Sequence, residues 1–545
     1  MADILSIGVS GLKAAQRALS TTGNNITNVN TPGYTRQRVD LATRPDQLLA
    51  GLPVGKGVDV DGISRVVNEF LNTNVQTSAT NVGTMASYTR YASQVDSVLA
   101  DNVIGLSSSM QAFFDAVNGL ADDPASVTTR QTMLGSAESL AAKFQSLNTH
   151  VDQLDQGVNQ ELRTKVDQVN ALTKSIAEIN QSLIEINGRS DGVGSNSLRD
   201  QLDQAVTELS RLIGVTTTRQ SDGSLNIMTT GGQVLVTGST RVQLGTQANP
   251  AKPSQLDVTY EVGNSNIVIT QNIGSGEIGG LLNVRNEIID KTRNSLGRLA
   301  AGIALEFNNL QTTGRDLDGN LGLNLFTIPA PVAIGEGAVT GALSVAFDPA
   351  QVDQLTTSDY RIRFDGTNYI ATRLSDNTQT NLGSGPAFAI DGLNINVTTS
   401  AVAGDSFLIR PTHDVADKIR VAITDPRKIA AAADPFTGPG DNSNALAMAD
   451  LQLTNTLEGG NASFNDAYNQ LIGEIGTRTR QAKTGLEAME AVEQSAIEAR
   501  QEVSGVNLDE EAADLLKFQQ AYQAAARVIS VGNELFGTLL QAVRR

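Results

Sequence analysis

The chain has 545 residues, a formal net charge of −18 at pH 7, no Cys, no Trp, and two His, His150 and His413. A chain this long holds several domains. Without Cys it has no disulfide and no thiolate metal site, and its acidic balance, lacking large basic blocks, argues against a nucleic-acid partner.

Residues 3–28 predict a helix. Leu5, Val9, Leu12, Ala15, Leu19, Thr22 and Ile26 recur in steps of four and three, the spacing of a helix that packs on another helix. Gly8, Gly11, Ala14, Ala15 and Ala18 are small, so a partner backbone could come close. The N-terminus lacks the basic segment and unbroken apolar core of a cleaved secretory signal, so an extracellular destination implies a route that spares it. The helix stops at Asn28-Val29-Asn30-Thr31-Pro32-Gly33, and Thr31-Pro32-Gly33-Tyr34 suits a type II turn.

Residues 35–61 read as a connector with short strands at 36–41 and 57–60. A helical period resumes at Ile63, with Val66, Val67, Phe70, Leu71 and Val75 on one face. A further helix carrying Phe113 and Phe114 ends at Asp122-Asp123-Pro124, since Pro cannot sit inside a helix. Residues 126–187 read as one very long helix, with a possible interruption at Gly157. It would reach about 93 Å at ~1.5 Å per residue. A loop at 188–196 reverses the chain into a return helix at 197–213. No apolar run reaches the roughly 20 residues that cross a bilayer, so no membrane insertion is expected.

After Gly214 the apolar period falls to two. Strands at 215–219 and 225–228 flank Asp222-Gly223, a hairpin signal. Strands at 233–236, 255–260 and 266–271 complete a small β region over 214–276. Residues 278–312 are helical. A second β region, 313–440, holds strands at 360–364, 369–373, 387–390, 393–397 and 406–410. Helices resume at Asn442.

The last helix is the best marked. Asn507 can cap it, and Asp509, Glu510 and Glu511 place negative charge on its positive end. Leu508, Leu515, Phe518, Tyr522, Ile529, Phe536 and Leu539 form a seam with Ala512, Ala525, Gly532 and Val543. At about 54 Å such a helix needs a partner, because packing of the apolar stripe supplies most of a helix's stability. The N-terminal helix is the expected partner.

The run GNNITNVNTPGYTRQRV, residues 23–39, with Asn24, Asn25, Asn28, Asn30, Thr31, Pro32, Gly33 and Tyr34, resembles the signature of bacterial flagellar rod, hook and hook-associated proteins. SGVNLDEEAADLLKFQQAYQAAARVIS, residues 504–530, is similar to their C-terminal signature. The fuller pattern, including LRDQLDQAVTELSRLIGV at the return helix and 404–432 at the exit of the second β region, resembles the flagellar hook-associated protein 1 family. Gly23, Thr27 and Thr35 depart from the common pattern by small-for-small changes.

The search for catalytic or metal chemistry yields little. His150 lies in the long helix and His413 in an RPTHDV loop, far apart in the chain. Asp316, Asp318, Gly319 and Asn320 superficially suggest a calcium loop, but the glycine stands fourth instead of sixth and Thr327 replaces the final Glu. GEIGG, residues 276–280, lacks a P-loop lysine, and no G-x-S-x-G elbow occurs. No catalytic, cofactor-binding or metal residue is assigned.

The chain is therefore expected to be mainly α, a long-helix bundle or coiled-coil shaft discontinuous in sequence, with two small inserted β-rich domains. The expected division is 1–55 and 504–545 as a terminal assembly segment; 56–213, 277–312 and 441–503 as shaft; and 214–276 and 313–440 as β insertions. The resemblance implies a non-enzymatic subunit joining the distal hook to the filament. Implied partners are hook protein, the next hook-associated protein, copies of itself in a ring, and an export chaperone on the C-terminal helix. It also implies an extracellular flagellar location reached by type III export. The apolar seams of the two terminal helices are expected to leave the termini disordered or marginal until assembly buries them. A hook or distal-rod axial protein, and a surface adhesin or hydrolase on a flagellar-type stalk, stand as alternatives.

Overall fold

A computed structural model describes residues 2–49, 52–101, 105–187, 195–263, 265–434 and 438–543. Most of the expected reversal loop, residues 188–194, lies outside them. The chain is mainly α, with small antiparallel sheets. The helices are α1 (Ala2–Thr27), α2 (Glu69–Ala100), α3 (Ser107–Asp122), α4 (Val127–Asn187), α5 (Ser195–Leu212), α6 (Gly276–Val284), α7 (Asp290–Thr313), α8 (Val415–Lys418), α9 (Ser443–Asp450), α10 (Phe464–Ser504) and α11 (Leu508–Val543).

The shaft is built on α4, whose 61 residues run without a break for about 92 Å. Gly157, the expected interruption, instead makes room for a neighbour: a Cβ there would lie 3.4 Å from the Tyr91 hydroxyl of α2. The aromatic centre of the shaft joins α3, α7, α10 and the strand Phe326–Thr327. Phe113 and Phe307 lie 4.9 Å apart, Phe307 meets Phe326 edge-on at 6.4 Å, and Phe114 stacks near Phe464 at 6.4 Å. All five rings are fully buried. Such ring pairs add about 0.5–1.5 kcal/mol each beyond the area they bury.

The helical period expected from Ile63 begins later. Residues Val58–Arg65 are a strand paired antiparallel with Gln37–Thr43, and Ile63 faces Val39 across that ladder. Asn68 caps α2 by accepting the Phe70 N–H at 3.0 Å. The helical expectation over 278–312 holds, with one local change of period. α6 and α7 are separated by a wide π-helical turn, Arg285–Ile289. This turn carries the buried Arg285, which donates to Asp155 at 2.9 Å and Asn159 at 2.6 Å of α4 and to the Leu256 carbonyl at 3.2 Å.

The strands over 215–268 form a four-stranded and a three-stranded sheet. Asp222-Gly223 makes the first hairpin turn, with Gly223 at φ +88°. These sheets lie along α4. Leu162, Val166, Val169 and Ile176 of α4 share one buried core with Leu202, Val206 and Leu209 of α5 and with Ile227, Val236 and Val258 of the strands. Asn180 donates to the Leu225 carbonyl at 2.9 Å and Asn170 to the Leu244 carbonyl at 2.8 Å, so strand ends are satisfied from the helix.

Beyond α7, a five-stranded sheet holds Val332–Gly335, Tyr360–Phe364, Tyr369–Arg373, Gln379–Gly383 and Ser406–Arg410, and a three-stranded sheet holds Ala342–Phe347, Ala387–Ile390 and Leu393–Thr399. Ile419, Ile423 and Ile429, after the last of these strands, are buried with the shaft core. Arg130, 2 % exposed, donates to the Pro124 carbonyl at 2.7 Å and to the Ile429 carbonyl, fastening that return segment to the start of α4.

Candidate functional site

α1 and α11 pair antiparallel. Moving along α1, Leu5 meets Gly532, Gly8 meets Ile529, Gly11 meets Ala525, and Asn25 meets Glu511. Small residues set how close the backbones come. A Cβ added at Gly8 would lie 2.7 Å from Ile529 Cγ1, and one at Gly532 would lie 2.9 Å from Leu5 Cδ2. Ala14, Ala15 and Ala18 are 2–5 % exposed.

The expected leucine seam does not close this pair. Leu5, Leu12, Leu19 and Ile26 are only half-buried, as are Leu515, Phe518 and Ile529. Leu508, Tyr522, Phe536 and Leu539 are exposed, the last two at 47 % each. The physical reason is the close approach: when Gly and Ala form the contact ridge, bulkier neighbours are turned to its flanks. Leu516, Val531, Leu535 and Leu540 are also exposed and widen the apolar face beyond the heptad positions. Among the described side chains of α11, only Glu511 and Gly532 are buried.

The asparagine-rich motif is the polar knot at one end of the pair. Asn25, 1 % exposed, exchanges backbone bonds with Gln37 at 2.9 and 3.0 Å, donates to Glu511 at 3.1 Å and accepts from the Tyr34 hydroxyl at 2.8 Å. Asn24 donates to Tyr34 Oη at 3.2 Å. Asn28 donates to the Asn24 carbonyl at 2.9 Å and accepts from Thr31 Oγ1 at 3.1 Å, which closes the end of α1. The Thr31–Tyr34 turn forms as expected. The Tyr34 N–H donates to the Thr31 carbonyl at 3.1 Å, and Gly33 sits at φ +79°, where a Cβ would be strained. Asn30 and Pro32 are exposed.

Sequence reasoning missed the charged half of this knot. Arg36 Nε meets Glu511 at 2.7 Å, its NH1 meets Glu510 at 2.5 Å, and its N–H donates to the Ser504 carbonyl at 2.9 Å. The pair is then tied to the shaft. The Thr35 N–H donates to Asp200 of α5 at 3.3 Å, and Arg65 holds Asp200 at 2.7 Å and Asp203 at 2.9 Å. Burial opposes the charge on Arg36, but Glu511 and Glu510 more than offset it and raise its pKa. Tyr34 is pushed up to about 12 by burial and then by the Asp200 and Glu511 carboxylates. It stays protonated and can keep donating to Asn25. The available signal was the run of three carboxylates at 509–511, where the third, Glu511, is 1 % exposed. A carboxylate that serves only the helix dipole would remain solvated.

The remaining candidates have structural partners. Asp316 accepts the Asp318 and Asn320 N–H groups at 2.9 and 2.8 Å, and Lys428 reaches both Asp316 and Asp318 at 3.0 Å. The chain's own ammonium thus occupies the place a cation would take. His413 contacts Asp414 at 2.6 Å; burial lowers its pKa. His150 is half-buried on α4. Among the described residues no group of three or more His, Cys, Asp or Glu is placed to hold a metal, and no helix is long and apolar enough to cross a membrane.

Comparison with known proteins converges on one family. Family profiles match residues 92–326 (flagellar hook-associated protein FlgK helical domain), 337–411 (flagellar hook-associated protein 1, D2-like domain), 5–35 (flagella basal body rod protein) and 498–542 (flagellar basal body rod FlgEFG protein C-terminal). The chain is 36 % identical to the flagellar hook-associated protein 1 of Salmonella typhimurium over 552 aligned positions, covering 99 % of this chain and all of the relative. It is 34 % identical to that of Escherichia coli, with the same coverage. The structure of the flagellar hook junction protein from Burkholderia pseudomallei shares the fold, with TM-score 0.73 at 24 % identity over 79 % of this chain and all of that one.

Proposed function

The chain belongs to the flagellar hook-associated protein 1 family, and from that membership we propose that it is the structural subunit joining the distal end of the hook to the filament. The observation that carries this is the terminal pair. α1 and α11 close on small residues, and leave Phe536, Leu539, Leu535 and Leu540 of α11 about half exposed. A stripe of that size is covered in a working protein, because contiguous exposed apolar surface marks an interaction site. Neighbouring subunits supply the cover.

In this reading residues 1–55 and 504–545 form one assembly unit, and Asn25, Arg36 and Glu511 hold its halves in register. Residues 56–213, 277–312 and 441–503 form the shaft, while 214–276 and 313–440 make lateral contacts and face solvent. Hook protein lies below and the next hook-associated protein above, with copies of this chain side by side in a ring. Before export, a cytoplasmic chaperone covers the seam from Leu508 to Leu539, which is otherwise an aggregation hazard. Type III export delivers the chain outside the cell with Ala2–Thr27 still in place, since that helix is half of the pair. No catalytic, nucleic-acid-binding or membrane-inserting role is assigned.

Truncation before Leu508 tests the reading. Cells carrying only the truncated chain should build hooks that end bare in electron micrographs. Filaments growing from those hooks would overturn it.

A further inference from the structure

We infer that the terminal unit and the shaft are two rigid bodies joined at a polar hinge, and that Arg65, held by Asp200 and Asp203, is the latch that sets the angle between them. The inference rests on the reading of the two terminal segments as one unit, and its test separates the two.

The joint lacks the apolar packing that fixes one body to another. Among the described residues, neither large apolar core of the shaft includes a side chain from residues 1–68 or 505–543. Polar groups make the crossing instead. Besides Arg65 with its two carboxylates, the Thr35 N–H reaches Asp200, and Asn196 Nδ2 of α5 donates to the Ile63 carbonyl at 2.7 Å. The Arg36 N–H meets the carbonyl of Ser504, the last residue of α10. A Cβ added at Gly33 would lie 3.1 Å from Gln204 Oε1 of α5, so the asparagine-rich turn rests on an amide. Relative motion of two bodies is the ordinary expectation where their interface is not large and hydrophobic.

The chain crosses the joint at two short connections. Val66, Val67 and Asn68 link the strand Val58–Arg65 to α2, and Gly505, Val506 and Asn507 link α10 to α11. A few residues at element ends are what a hinge needs. Space lies on both sides. A cavity of about 600 Å³ opens between the turn at 29–35, α5 and the end of α10, with Asp200 on its wall. A cleft of about 1060 Å³ opens between the strand Val58–Arg65 and the start of α5, with Arg65 on its wall. The Arg65–Asp200 pair stands between the two.

Both partners are shielded, at 4 % and 10 % side-chain exposure. Burial opposes the charge on Arg65, but Asp203 and Asp200 more than offset it and raise its pKa. A buried ion pair adds little net stability over an apolar contact of the same size, yet it demands one geometry. It therefore orients the joint without welding it, and the flanking spaces let water reach the charges when the pair parts. The terminal unit can then stay packed among its neighbours while the shaft tilts.

The chain has no Cys, so thiols introduced in pairs can carry spin labels on the full-length protein, read by pulsed dipolar spectroscopy. Ser20→Cys on α1 with Thr164→Cys on α4, both exposed positions, reports across the joint. Ser20→Cys with Ser530→Cys on α11, also exposed, reports within the terminal unit. The cross-joint pair should give one narrow distance. Arg65→Gln should widen that distribution about two-fold, because the joint loses the buried pair that orients it. Asp200→Asn should do the same from the shaft side, while Arg65→Lys should keep most of the order. The distance within the unit should not change in any variant. A cross-joint distribution that is already wide before these substitutions, or that the folded variants do not widen, overturns the latch and leaves the unit intact. A broad distance within the unit means that the terminal segments are not one body, and removes both the hinge and the reading beneath it.

Discussion

α4 and α11 are both long helices with heptad-spaced apolar residues, yet they end in opposite states. On α4, Leu162, Val166, Val169, Ile176 and Leu183 are 0–3 % exposed, covered by α5 and the sheets that follow it. On α11, Phe536 and Leu539 are 47 % exposed and Leu516 is 60 % exposed. A seam in sequence states that a helix will be covered. It does not state whether the cover comes from the same chain. In the shaft it does, so α4 belongs to a core. In the terminal pair a strip of small and polar residues is covered internally, and the large apolar side chains of α11 stay half-buried or exposed.

Substitutions should separate these states, and the largest effect on the free chain belongs to the shaft. Phe307→Ala removes a ring packed on Phe113, Phe114 and Phe326 and should cost about 3–5 kcal/mol, read as a lower urea midpoint. If the shaft lost no stability, it would not be the folded core of the chain. Glu511→Ala leaves Arg36 and Asn25 without their shared carboxylate and should cost about 1.5–3 kcal/mol. That loss should be local. Amide exchange should quicken in α1 and α11, with the urea midpoint of the shaft unchanged.

Gly8→Val drives branched carbon into Ile529 and should destabilise the pair by about 1–3 kcal/mol, again visible by exchange in α1. His413 gives a weaker, pH-dependent effect. It is part-buried beside Arg410 and Arg293, with Asp414 as its favourable partner, and its folded pKa lies below the ordinary value. The unfolded chain therefore takes up the proton first. Stability from this site is complete above about pH 6.5 and declines as pH falls toward the folded pKa. The thermal midpoint should drop on going from pH 7 to 5, and His413→Gln should flatten that drop.

The smallest effect on the free chain is the most telling. Leu539→Ser should change its stability by no more than about 0.5 kcal/mol, since the side chain is already half exposed, yet hooks carrying it should hold filaments poorly under shear. A large loss of monomer stability would mean that α11 is part of a core, and the contrast with α4 would fall.

Much of this was legible in the residues themselves. The long helical stripe over 126–187, the Asp222-Gly223 hairpin, the Thr31–Tyr34 turn and the cap at Asn507 are local signals, and local signals survive into the fold because they act within a few residues; that Gly157 does not interrupt the long helix was decided by the structure. The terminal motifs identified the family. The π-helical turn at Arg285–Ile289 was hidden, because its partners Asp155 and Asn159 lie more than a hundred residues away. Ile63 read as helical because its apolar neighbours fit either period; pairing with Val39 decided for strand.

The sequence by itself determined the helices, their order, and the need of both terminal helices for a partner, since periodicity and capping are properties of neighbouring residues. Only the tertiary structure decided which side chains meet that need. Leu5 and Leu12 carry the stronger apolar signal, but Gly8, Gly11 and Gly532 allow the closest approach of backbones, so small residues took the contact and the large ones remained half-buried at its flanks. Arg36 and Glu511, 475 positions apart, became one ion pair for the same reason: distance in the chain sets no limit once two helices lie side by side.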